Sequence, residues 1–512
     1  MAYPNGTFTE YMFGYFDKYS KNVALVELDT DRRVTYGDLK TLVIKAAHGF
    51  RDLGVQQGDV VCIFSTNNID YAVAFFALTS FGATLQATNP LYTTGELQTQ
   101  FVQCNTRYVI TLPPFVDKIK EASTKSIKKI IVIGASPEGC VSFDSLVKSS
   151  KDGLKLPKAD FDPKKTVACL LFSSGTTGLP KAVMLTQYNL IANLVQLRSM
   201  KILEDDSVLV FLPFFHLYGL VAILSSALTC GSKMVLVSRF QPVPFMEAIQ
   251  KHQIKVLHLV PPVMVLLAKL PETKNYDLTC VRKVVCGAAP LSINIECEVK
   301  EIFKIPYVSQ GYGMTEVMVT HLDTEENHKA HSVGQPLEGI KQKIINPETG
   351  KDVAVNVDGE VCIKGEQIML GYLNQPEVTA AMMTADGWAR TGDVGHVDED
   401  GYLFIVDRIK ELIKYKGHQV APAELEALLL KHPSIADVGV IGVPDSDAGE
   451  LPKAYVVLKK DQKLSEKDIV NYVAERVAPH KKLRGGVEFL EQIPKSASGK
   501  ILRRVLRDRL KK

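Results

Sequence analysis

Short apolar runs alternate with amphipathic stretches along the N-terminal part of the chain, and this alternation restricts the fold more than any other feature. Residues 36–53 carry apolar side chains at helical spacing, residues 60–64 form a strand-like run, and residues 69–81 predict a second helix. Further strand-like runs occur at 108–111 and 129–133. A repeated strand–helix–strand order predicts β-α-β units around a largely parallel sheet, and therefore an α/β fold.

The pattern continues through the middle of the chain and then changes. Further strands are expected at 167–172, 208–212, 233–237, 256–259 and 281–286. From about residue 340 the runs are shorter, with strands expected at 341–345, 359–364 and 401–406, followed by a compact α+β stretch with helices at 423–431 and 466–477. We therefore predict an N-terminal domain over 1–404 with a small β-barrel-like part at about 340–404, a boundary at 405–411 and a C-terminal α+β domain over 412–512.

Composition narrows the class of protein. The 512 residues include 60 basic and 57 acidic side chains, and this balance gives no reason to expect a nucleic-acid or membrane-surface partner. Nine cysteines occur singly without a C-x-x-C pair, which argues against a zinc site and a disulfide framework. The most apolar segment, 211–231, is interrupted by Pro213, His216 and Tyr218, so we expect buried core there and no integral membrane segment.

The loop at 172–181 follows a strand-like run and holds four hydroxyl side chains, two glycines and one lysine. Glycine lets backbone N–H groups approach a phosphate closely, and hydroxyl and ammonium groups add donors. The spacing is not that of a P-loop, because Leu179 and Pro180 separate Gly178 from Lys181. The sequence therefore predicts a phosphate cradle of another kind, with a flexible surface turn as the alternative.

Five further motifs follow predicted strands or lie near the C-terminal end. They are 215–219, 286–290, 310–316, 391–393 with Arg408 shortly after it, and 494–500. Each has an ordinary alternative on its own: His216 as a core histidine, Glu316 and Asp393 as capping or surface carboxylates, and Lys500 as a solvated lysine near a basic tail.

Taken together and in this order, the motifs resemble the adenylate-forming superfamily of acyl-CoA synthetases, 4-coumarate–CoA ligases and beetle luciferases. The resemblance runs from about residue 8 to about residue 510, and the stretch 405–426 is especially similar to the coumarate ligase and luciferase branch. It implies a large N-terminal α/β domain joined by a hinge at 405–411 to a small, mobile C-terminal domain.

The implied activity is a two-step ligation. A carboxylic acid, fatty or aryl (cinnamic), would react with ATP to give an acyl-AMP and pyrophosphate, and the acyl group would then pass to coenzyme A. The resemblance assigns Mg²⁺ to Glu316 and catalytic roles to Lys500, Lys414, His216 and Thr315. The residues it assigns to ATP or AMP are Ser173, Ser174, Gly175, Thr176, Thr177, Gly178, Lys181, Gly287, Ala288, Gln310, Gly311, Tyr312, Thr315, Asp393, Arg408 and Lys500.

Two further sites are implied. The acyl pocket would be formed by His216, Tyr218, Gly219, Ala288, Gly313 and Val319. Coenzyme A would meet Arg239, Lys414, Lys416 and Gly417. Because Lys414 and Lys500 serve different half-reactions at one site, the family rotates its C-terminal domain, here about Lys410. Tyr218 would hydrogen-bond a substituent of the substrate or simply wall off an apolar tunnel.

Several alternatives remain at this stage. Luciferase-type oxidation of an adenylated luciferin is the second candidate, although Val317, Met318 and Val319 stand where luciferases carry small hydroxyl residues. A nucleotide-binding scaffold without catalysis should lack one of the key charged residues, and a peptide-synthesising module should continue into a carrier domain; the sequence favours neither. The last residues are not a Ser-Lys-Leu signal, so we expect a cytoplasmic enzyme with a peroxisomal location as the alternative, acting as a monomer or weak dimer.

Overall fold

A computed structural model describes residues 3–4, 6–148, 155–173, 180–289, 291–416, 418–496 and 499–511. Two large mixed sheets form the N-terminal part, as the β-α-β pattern predicts. The strands of the first, in spatial order, are Gln335–Pro336, Met318–Leu322, Ser309–Met314, Lys283–Cys286, Val256–Leu259, Ser207–Val210, Lys233–Leu236, Val23–Glu27 and Arg33–Thr35. Its central pairs are parallel, and antiparallel pairs occur only towards its two edges.

The second large sheet is also parallel through most of its width. Its strands, in spatial order, are Gly371–Tyr372, Lys181–Thr186, Val167–Ser173, Thr84–Ala87, Val60–Phe64, Tyr108–Thr111, Lys129–Val132 and Val141–Ser142. The phosphate-cradle loop lies between Val167–Ser173 and Lys181–Thr186, which pair antiparallel, with Ser173 opposite Lys181. The strands that flank the predicted cradle are therefore antiparallel partners, whereas a P-loop leads from a strand into a helix.

Helices are distributed along the whole described chain, and the last three belong to its C-terminal part. The α-helices are Phe8–Lys18, Tyr36–Asp52, Ile69–Ser80, Thr94–Cys104, Val116–Ala122, Phe143–Lys148, Gln187–Gln196, Ser226–Cys230, Pro242–His252, Pro261–Lys269, Ile293–Phe303, Pro376–Met382, Pro422–Leu430, Glu466–Ala474 and Arg503–Asp508. Short 3₁₀ turns occur at Pro113–Phe115, Leu197–Met200, Pro271–Asn275, Pro479–Lys481 and Arg509–Lys511, and Tyr218–Ser225 is π-helical.

Local sequence explains where several helices begin. Thr35 and Asp38 form a reciprocal capping box at the start of Tyr36–Asp52, and each bonds the backbone N–H of the other. Proline opens other helices, such as Pro422–Leu430, because its missing N–H would have no helical partner at the first position. The helix Ile69–Ser80 is buried at every position and belongs to the largest apolar core, which also includes residues of both large sheets.

Two smaller sheets complete the chain. The β-barrel-like part is an open antiparallel row of Lys341–Ile345, Gly359–Lys364, Ala389–Val397 and Leu403–Arg408. The C-terminal sheet has the order His418–Val420, Ile413–Tyr415, Gly449–Leu458 and Ile435–Asp445, and Val487–Phe489 pairs in parallel with Gly449–Leu458. Its helices Pro422–Leu430 and Glu466–Ala474 contribute to a core of its own.

Several element ends differ from the sequence prediction. The strand predicted at 401–406 spans Leu403–Arg408, because Asp407 and Arg408 continue the ladder against Val394 and Asp393. The strand predicted at 208–212 ends at Val210, and the helix predicted at 466–477 ends at Ala474. The apolar segment 211–231 is buried core, as expected, and no described helix is both long and apolar enough to cross a bilayer.

Candidate active site

A cavity of about 980 Å³ lies between the N-terminal part and the C-terminal part of the described chain. Its walls include residues from the ends of parallel strands in the first large sheet, where ligands commonly bind in open α/β sheets. The predicted site residues that line it are Ala288, Gln310, Gly311, Tyr312, Gly313, Asp393, Arg408 and Lys500.

The residues expected to hold adenine lie on two neighbouring strands. Gly287 and Ala288 directly follow Lys283–Cys286, and Gln310 is the register partner of Cys286 on the adjacent parallel strand. Ala288 has a φ of 73°, a conformation that costs energy for a residue with a side chain and that occurs often at functional sites. The structure thus brings Cys286, Ala288 and Ala289 of one motif and residues 310–313 of the other to the cavity.

Asp393 lies at the centre of a polar group. The Tyr312 hydroxyl donates to Asp393 Oδ2 over 2.7 Å, and Arg408 Nε lies 3.1 Å from Asp393 Oδ1. Arg408 reaches Asp393 because the two residues are register partners on antiparallel strands. Burial and the neighbouring Asp393 carboxylate raise the pKa of Tyr312, so its hydroxyl stays protonated and donates. Each carboxylate oxygen keeps a second lone pair, which suits the two hydroxyls of a ribose.

Tyr372, which the sequence analysis did not identify, contacts both Glu316 and Lys181. The Tyr372 hydroxyl donates to Glu316 Oε1 over 2.8 Å, and Lys181 Nζ lies 5.0 Å from the centre of the Tyr372 ring. Burial, followed by the Glu316 charge, raises the pKa of Tyr372. Thr315 directly precedes Glu316 and is buried with it. Tyr372 belongs to none of the sequence motifs. It lies near Lys181 because the strand Gly371–Tyr372 pairs with the strand Lys181–Thr186.

Ser173 ends the strand Val167–Ser173, opposite Lys181. Ser174, Gly175, Thr176, Thr177 and Gly178 lie outside the described residues.

Lys500 reaches this site from the far end of the chain. Its backbone N–H donates to Ser496 Oγ over 3.1 Å, and the Ser496 N–H donates to the Lys500 carbonyl over 2.8 Å, which fixes the backbone on both sides. Burial and the nearby Arg408 charge lower the pKa of Lys500 to about 8, against the opposing influence of Asp393 and Glu316. Burial and the Lys500 charge likewise lower the pKa of His216 to about 4, so this imidazole is neutral at pH 7.

The predicted acyl-pocket residues take part in two separate local contacts. The Tyr218 N–H points to His216 Nδ1 at 3.3 Å, and Gly219 is buried in the first turn of the π-helical segment. Gly313 pairs with Val319 across an antiparallel ladder, and a Cβ on Gly313 would lie only 2.1 Å from the Met318 carbonyl oxygen. Only glycine allows this approach, since a carbon so close to an oxygen would force the strands apart.

The described residues among those predicted to bind coenzyme A, Arg239, Lys414 and Lys416, do not line the cavity. Lys414 is exposed on Ile413–Tyr415, and its N–H donates to Glu450 Oε2 over 2.8 Å. Lys416 follows that strand with a φ of 46°, Arg239 is exposed after Lys233–Leu236, and Gly417 lies outside the described residues. Lys410 is exposed in the turn after Leu403–Arg408. The structure therefore brings Lys500, but not Lys414, to the cavity.

Sequence reasoning also missed a buried ion-pair network beside this turn. Arg503 donates to both oxygens of Glu426 at 2.7 and 2.8 Å, and Arg507 donates to Glu411 over 2.8 Å. Asp407 Oδ2 accepts the N–H of Ala423 at the start of Pro422–Leu430. These residues gave no sequence signal because charged residues near a chain end ordinarily face solvent.

The described residues fit a magnesium ion only if phosphate oxygens complete its coordination. No group of three or more His, Cys, Asp or Glu side chains that could hold a metal occurs in the described chain. Glu316 supplies one buried carboxylate, oriented by Tyr372. Mg²⁺ is commonly held by one or two carboxylates together with nucleotide phosphates and water, which matches this donor set.

Comparison with known proteins agrees with this geometry. Residues 15–373 match the family model of AMP-binding enzymes, and residues 424–500 match that of the AMP-binding enzyme C-terminal domain. The chain is 39% identical to 4-coumarate–CoA ligase 2 of Solanum tuberosum, over 98% of this chain and 93% of that protein. It is 40% identical to 4-coumarate–CoA ligase 1 of Arabidopsis thaliana, over 98% of this chain and 92% of that protein.

Solved structures share the fold over the full length. ATP-bound MatB from Rhodopseudomonas palustris superposes with a TM-score of 0.90 at 26% identity, covering 98% of this chain and 99% of that one. The anthranilate CoA ligase AuaEII, in complex with anthranoyl-AMP, superposes with a TM-score of 0.89 at 25% identity, covering 98% and 97%.

Proposed function

The chain belongs to the family of AMP-binding enzymes, and we propose that it ligates a carboxylic acid to coenzyme A through an acyl-AMP. The acid is fatty or aryl, including the cinnamic acids. The observation that carries the proposal is the position of Lys500, which lines the same cavity as Asp393 and Arg408 and whose charge also reaches His216. The full-length similarity to 4-coumarate–CoA ligases supports it.

In the first half-reaction a carboxylate oxygen attacks the α-phosphorus of ATP, and the bond to pyrophosphate breaks. Two anions must approach each other, so the step needs a positive charge where they meet. Lys500 supplies that charge as an ammonium group, and a preorganised charge in a partly desolvated site is effective because it needs no reorganisation. His216 is neutral and adds no charge there.

The nucleotide is held by the other groups of the cavity. Asp393 accepts the ribose hydroxyls, and Tyr312 and Arg408 keep its carboxylate in place. Gly287, Ala288, Gln310 and Gly311 face the adenine, while Thr315 contacts the α-phosphate. Lys181, with the rest of the loop at 173–181, binds the phosphates that leave as pyrophosphate. Magnesium, bound through Glu316, would neutralise part of the phosphate charge.

In the second half-reaction the thiol of coenzyme A attacks the acyl carbon, and AMP leaves. Lys414, Lys416 and Gly417 line the approach of the thiol, and Arg239 binds a phosphate of coenzyme A. In the described conformation Lys500 lines the cavity and Lys414 does not. We therefore propose that the C-terminal part, 412–512, rotates about Lys410 between the two steps.

The direct test uses purified protein, ATP, Mg²⁺ and a panel of cinnamic acids and of medium- and long-chain fatty acids. Acid-dependent exchange of pyrophosphate into ATP without coenzyme A reports the first step, and coenzyme A-dependent release of AMP reports the whole reaction. Pyrophosphate exchange without thioester formation would contradict the ligase activity. The absence of both activities with every acid would contradict adenylation as well. The relatives reported above are ligases and lend no support to the luciferase alternative; incubation with luciferin, ATP and oxygen would reveal light emission directly.

A further inference from the structure

The Tyr218 hydroxyl points into the first large sheet, between two of its strands. It lies 3.3 Å from the Val285 carbonyl oxygen on Lys283–Cys286 and 3.3 Å from His258 Nδ1 on Val256–Leu259. The tyrosine and imidazole rings meet edge to face, with centres 5.6 Å apart and planes at 83°. Two partners from adjacent strands therefore hold the oxygen end of Tyr218.

The protons of this group can be assigned from its partners. The Val285 carbonyl can only accept, so Tyr218 donates its single proton there. His258 Nδ1 must then carry a proton and donate to the phenolic oxygen. Burial, with a smaller influence of the Lys283 charge, lowers the pKa of His258 to about 3, which leaves the imidazole neutral with one N–H.

The other nitrogen of the ring is consistent with this tautomer. His258 is fully buried, and its Nε2 has no hydrogen-bond partner among the described residues. With the proton on Nδ1, the unpaired atom is an acceptor, and buried acceptors without partners are more common than buried donors without partners. The opposite tautomer would bury an unpaired N–H and leave Tyr218 with one proton for two acceptors.

Because the Tyr218 hydroxyl is held between two strands, the ring carbons of this residue are the part that would face the proposed acyl pocket. A Cβ placed on Gly287 would lie 3.2 Å from Tyr218 Cε1, so the ring borders the backbone that leads into Ala288 and the cavity. The half-buried apolar side chains that pack on the same core include Phe215, Ala288, Met314 and Val319, of which Ala288 and Val319 belong to the predicted acyl pocket.

We propose that the acyl site selects acids with an unsubstituted apolar tail, alkyl or aryl, over acids whose tail ends in a hydroxyl. His258 acts as a positioning residue that keeps the Tyr218 hydroxyl turned away from the substrate. This inference rests on the proposed function and deepens it, since it names the class of acid. A hydroxyl buried against this wall loses its water without gaining a donor from Tyr218, and such a loss reduces binding by about tenfold or more.

The test compares acids that differ only by one hydroxyl: cinnamic against 4-hydroxycinnamic acid, and octanoic against 8-hydroxyoctanoic acid. Coenzyme A-dependent AMP release gives kcat/KM for each acid. For each pair in which both acids react, we expect the ratio of kcat/KM, unhydroxylated over hydroxylated acid, to be about ten or more. A ratio near or below one would overturn the proposal, whereas inactivity with all four acids and the wider panel would instead contradict the proposed function.

Three variants locate the cause of the selectivity. Tyr218→Phe should leave the ratio within each pair unchanged to within about twofold, because the hydroxyl does not meet the substrate. His258→Leu should lower the ratio, since the phenol loses its fixed donor and is able to turn. His258→Asn should keep the ratio, because an Asn amide places a donor near the position of Nδ1.

The opposite results would assign other roles. A preference for the hydroxylated acid that Tyr218→Phe removes would show that this hydroxyl binds substrate. Equal ratios in His258→Leu and His258→Asn would remove His258 from the argument. Thermal denaturation checks that each variant is folded, and the ratios of the wild-type protein and Tyr218→Phe decide the substrate class if His258→Leu fails to fold.

Discussion

The hydroxyl of Tyr372 donates to Oε1 of Glu316 over 2.8 Å, from a strand that is 56 residues further along the chain. The ring of the same tyrosine lies under the Lys181 ammonium group, whose Nζ is 5.0 Å from its centre. The Glu316 backbone is also held, because its carbonyl accepts the N–H of Met369. One aromatic residue thus links the carboxylate proposed to hold magnesium with the lysine proposed to hold phosphate.

Tyr372→Phe should raise KM for Mg-ATP by about tenfold or more and change kcat less. The variant leaves the buried Glu316 carboxylate without its donor, and a hydrogen bond to a charged group contributes about 1.5–3 kcal/mol. It keeps the ring under Lys181, so Tyr372→Leu serves as the matched variant that loses both contacts. Steady-state kinetics with Mg-ATP as the varied substrate measures the effect; an unchanged KM in Tyr372→Phe would count against this role.

Lys500→Ala and Lys414→Ala should affect opposite half-reactions. Lys500→Ala should lower acid-dependent pyrophosphate exchange by about a hundredfold or more, as expected when a charge that stabilises the transition state is removed. It should still convert a supplied acyl-AMP to the thioester. Lys414→Ala should retain exchange and lose thioester formation. Equal loss of both activities in both variants would contradict the two-conformation mechanism.

The rate of adenylation should depend on pH through Lys500. Burial and Arg408 lower the pKa of this lysine to about 8, so the ammonium form is complete well below pH 8 and is lost as the pH rises through 8. We therefore expect kcat/KM for ATP in the exchange reaction to fall above about pH 8. In Lys500→Arg any remaining activity should lack this fall, since a guanidinium stays protonated. A fall at the same pH in both proteins would assign it to another group.

Lys410→Pro should slow thioester formation more than adenylation. Proline fixes φ near −65° and also restricts the preceding residue, so it limits backbone rotation at the proposed pivot. Lys410→Ala is the control, because it removes the side chain and leaves the backbone free. Separate single-turnover measurements of the two steps give the comparison, and equal slowing of both steps would place the pivot elsewhere.

Arg503→Ala should destabilise the C-terminal sheet by about 3 kcal/mol, because it leaves the buried Glu426 carboxylate without its two-bond partner. Arg509→Ala is the matched control: Arg509 is half-exposed, 3.4 Å from Glu488, and its loss should cost less than about 1 kcal/mol. Hydrogen exchange in Ile435–Asp445 and Gly449–Leu458 reports the local stability. Similar protection in both variants would show that the Arg503 pair is not stabilising.

Much of the fold could be predicted because its signals are local. The runs at 60–64 and 108–111 are strands with those bounds, since a short apolar run between two amphipathic helices is typical of a buried strand in an α/β fold. The end of Leu403–Arg408 was less predictable: Asp407 and Arg408 look like a charged step in the sequence but are held in the ladder by cross-strand partners. Element ends depend on such partners, which a sequence window does not contain.

The candidate site, like the fold, could be predicted from the sequence only in part. Sequence alone determined the residue types and their order, and it pointed to Asp393, Arg408 and Lys500 because their motifs, in this order, resemble those of the adenylate-forming superfamily. Only the tertiary structure decided that Tyr372 contacts Glu316, that His258 lies against Tyr218, and that Lys500 occupies the cavity while Lys414 is outside it. The physical reason is that hydrogen bonds and charge contacts act over a few ångströms in space, and sheet order, rather than chain order, brings those groups together.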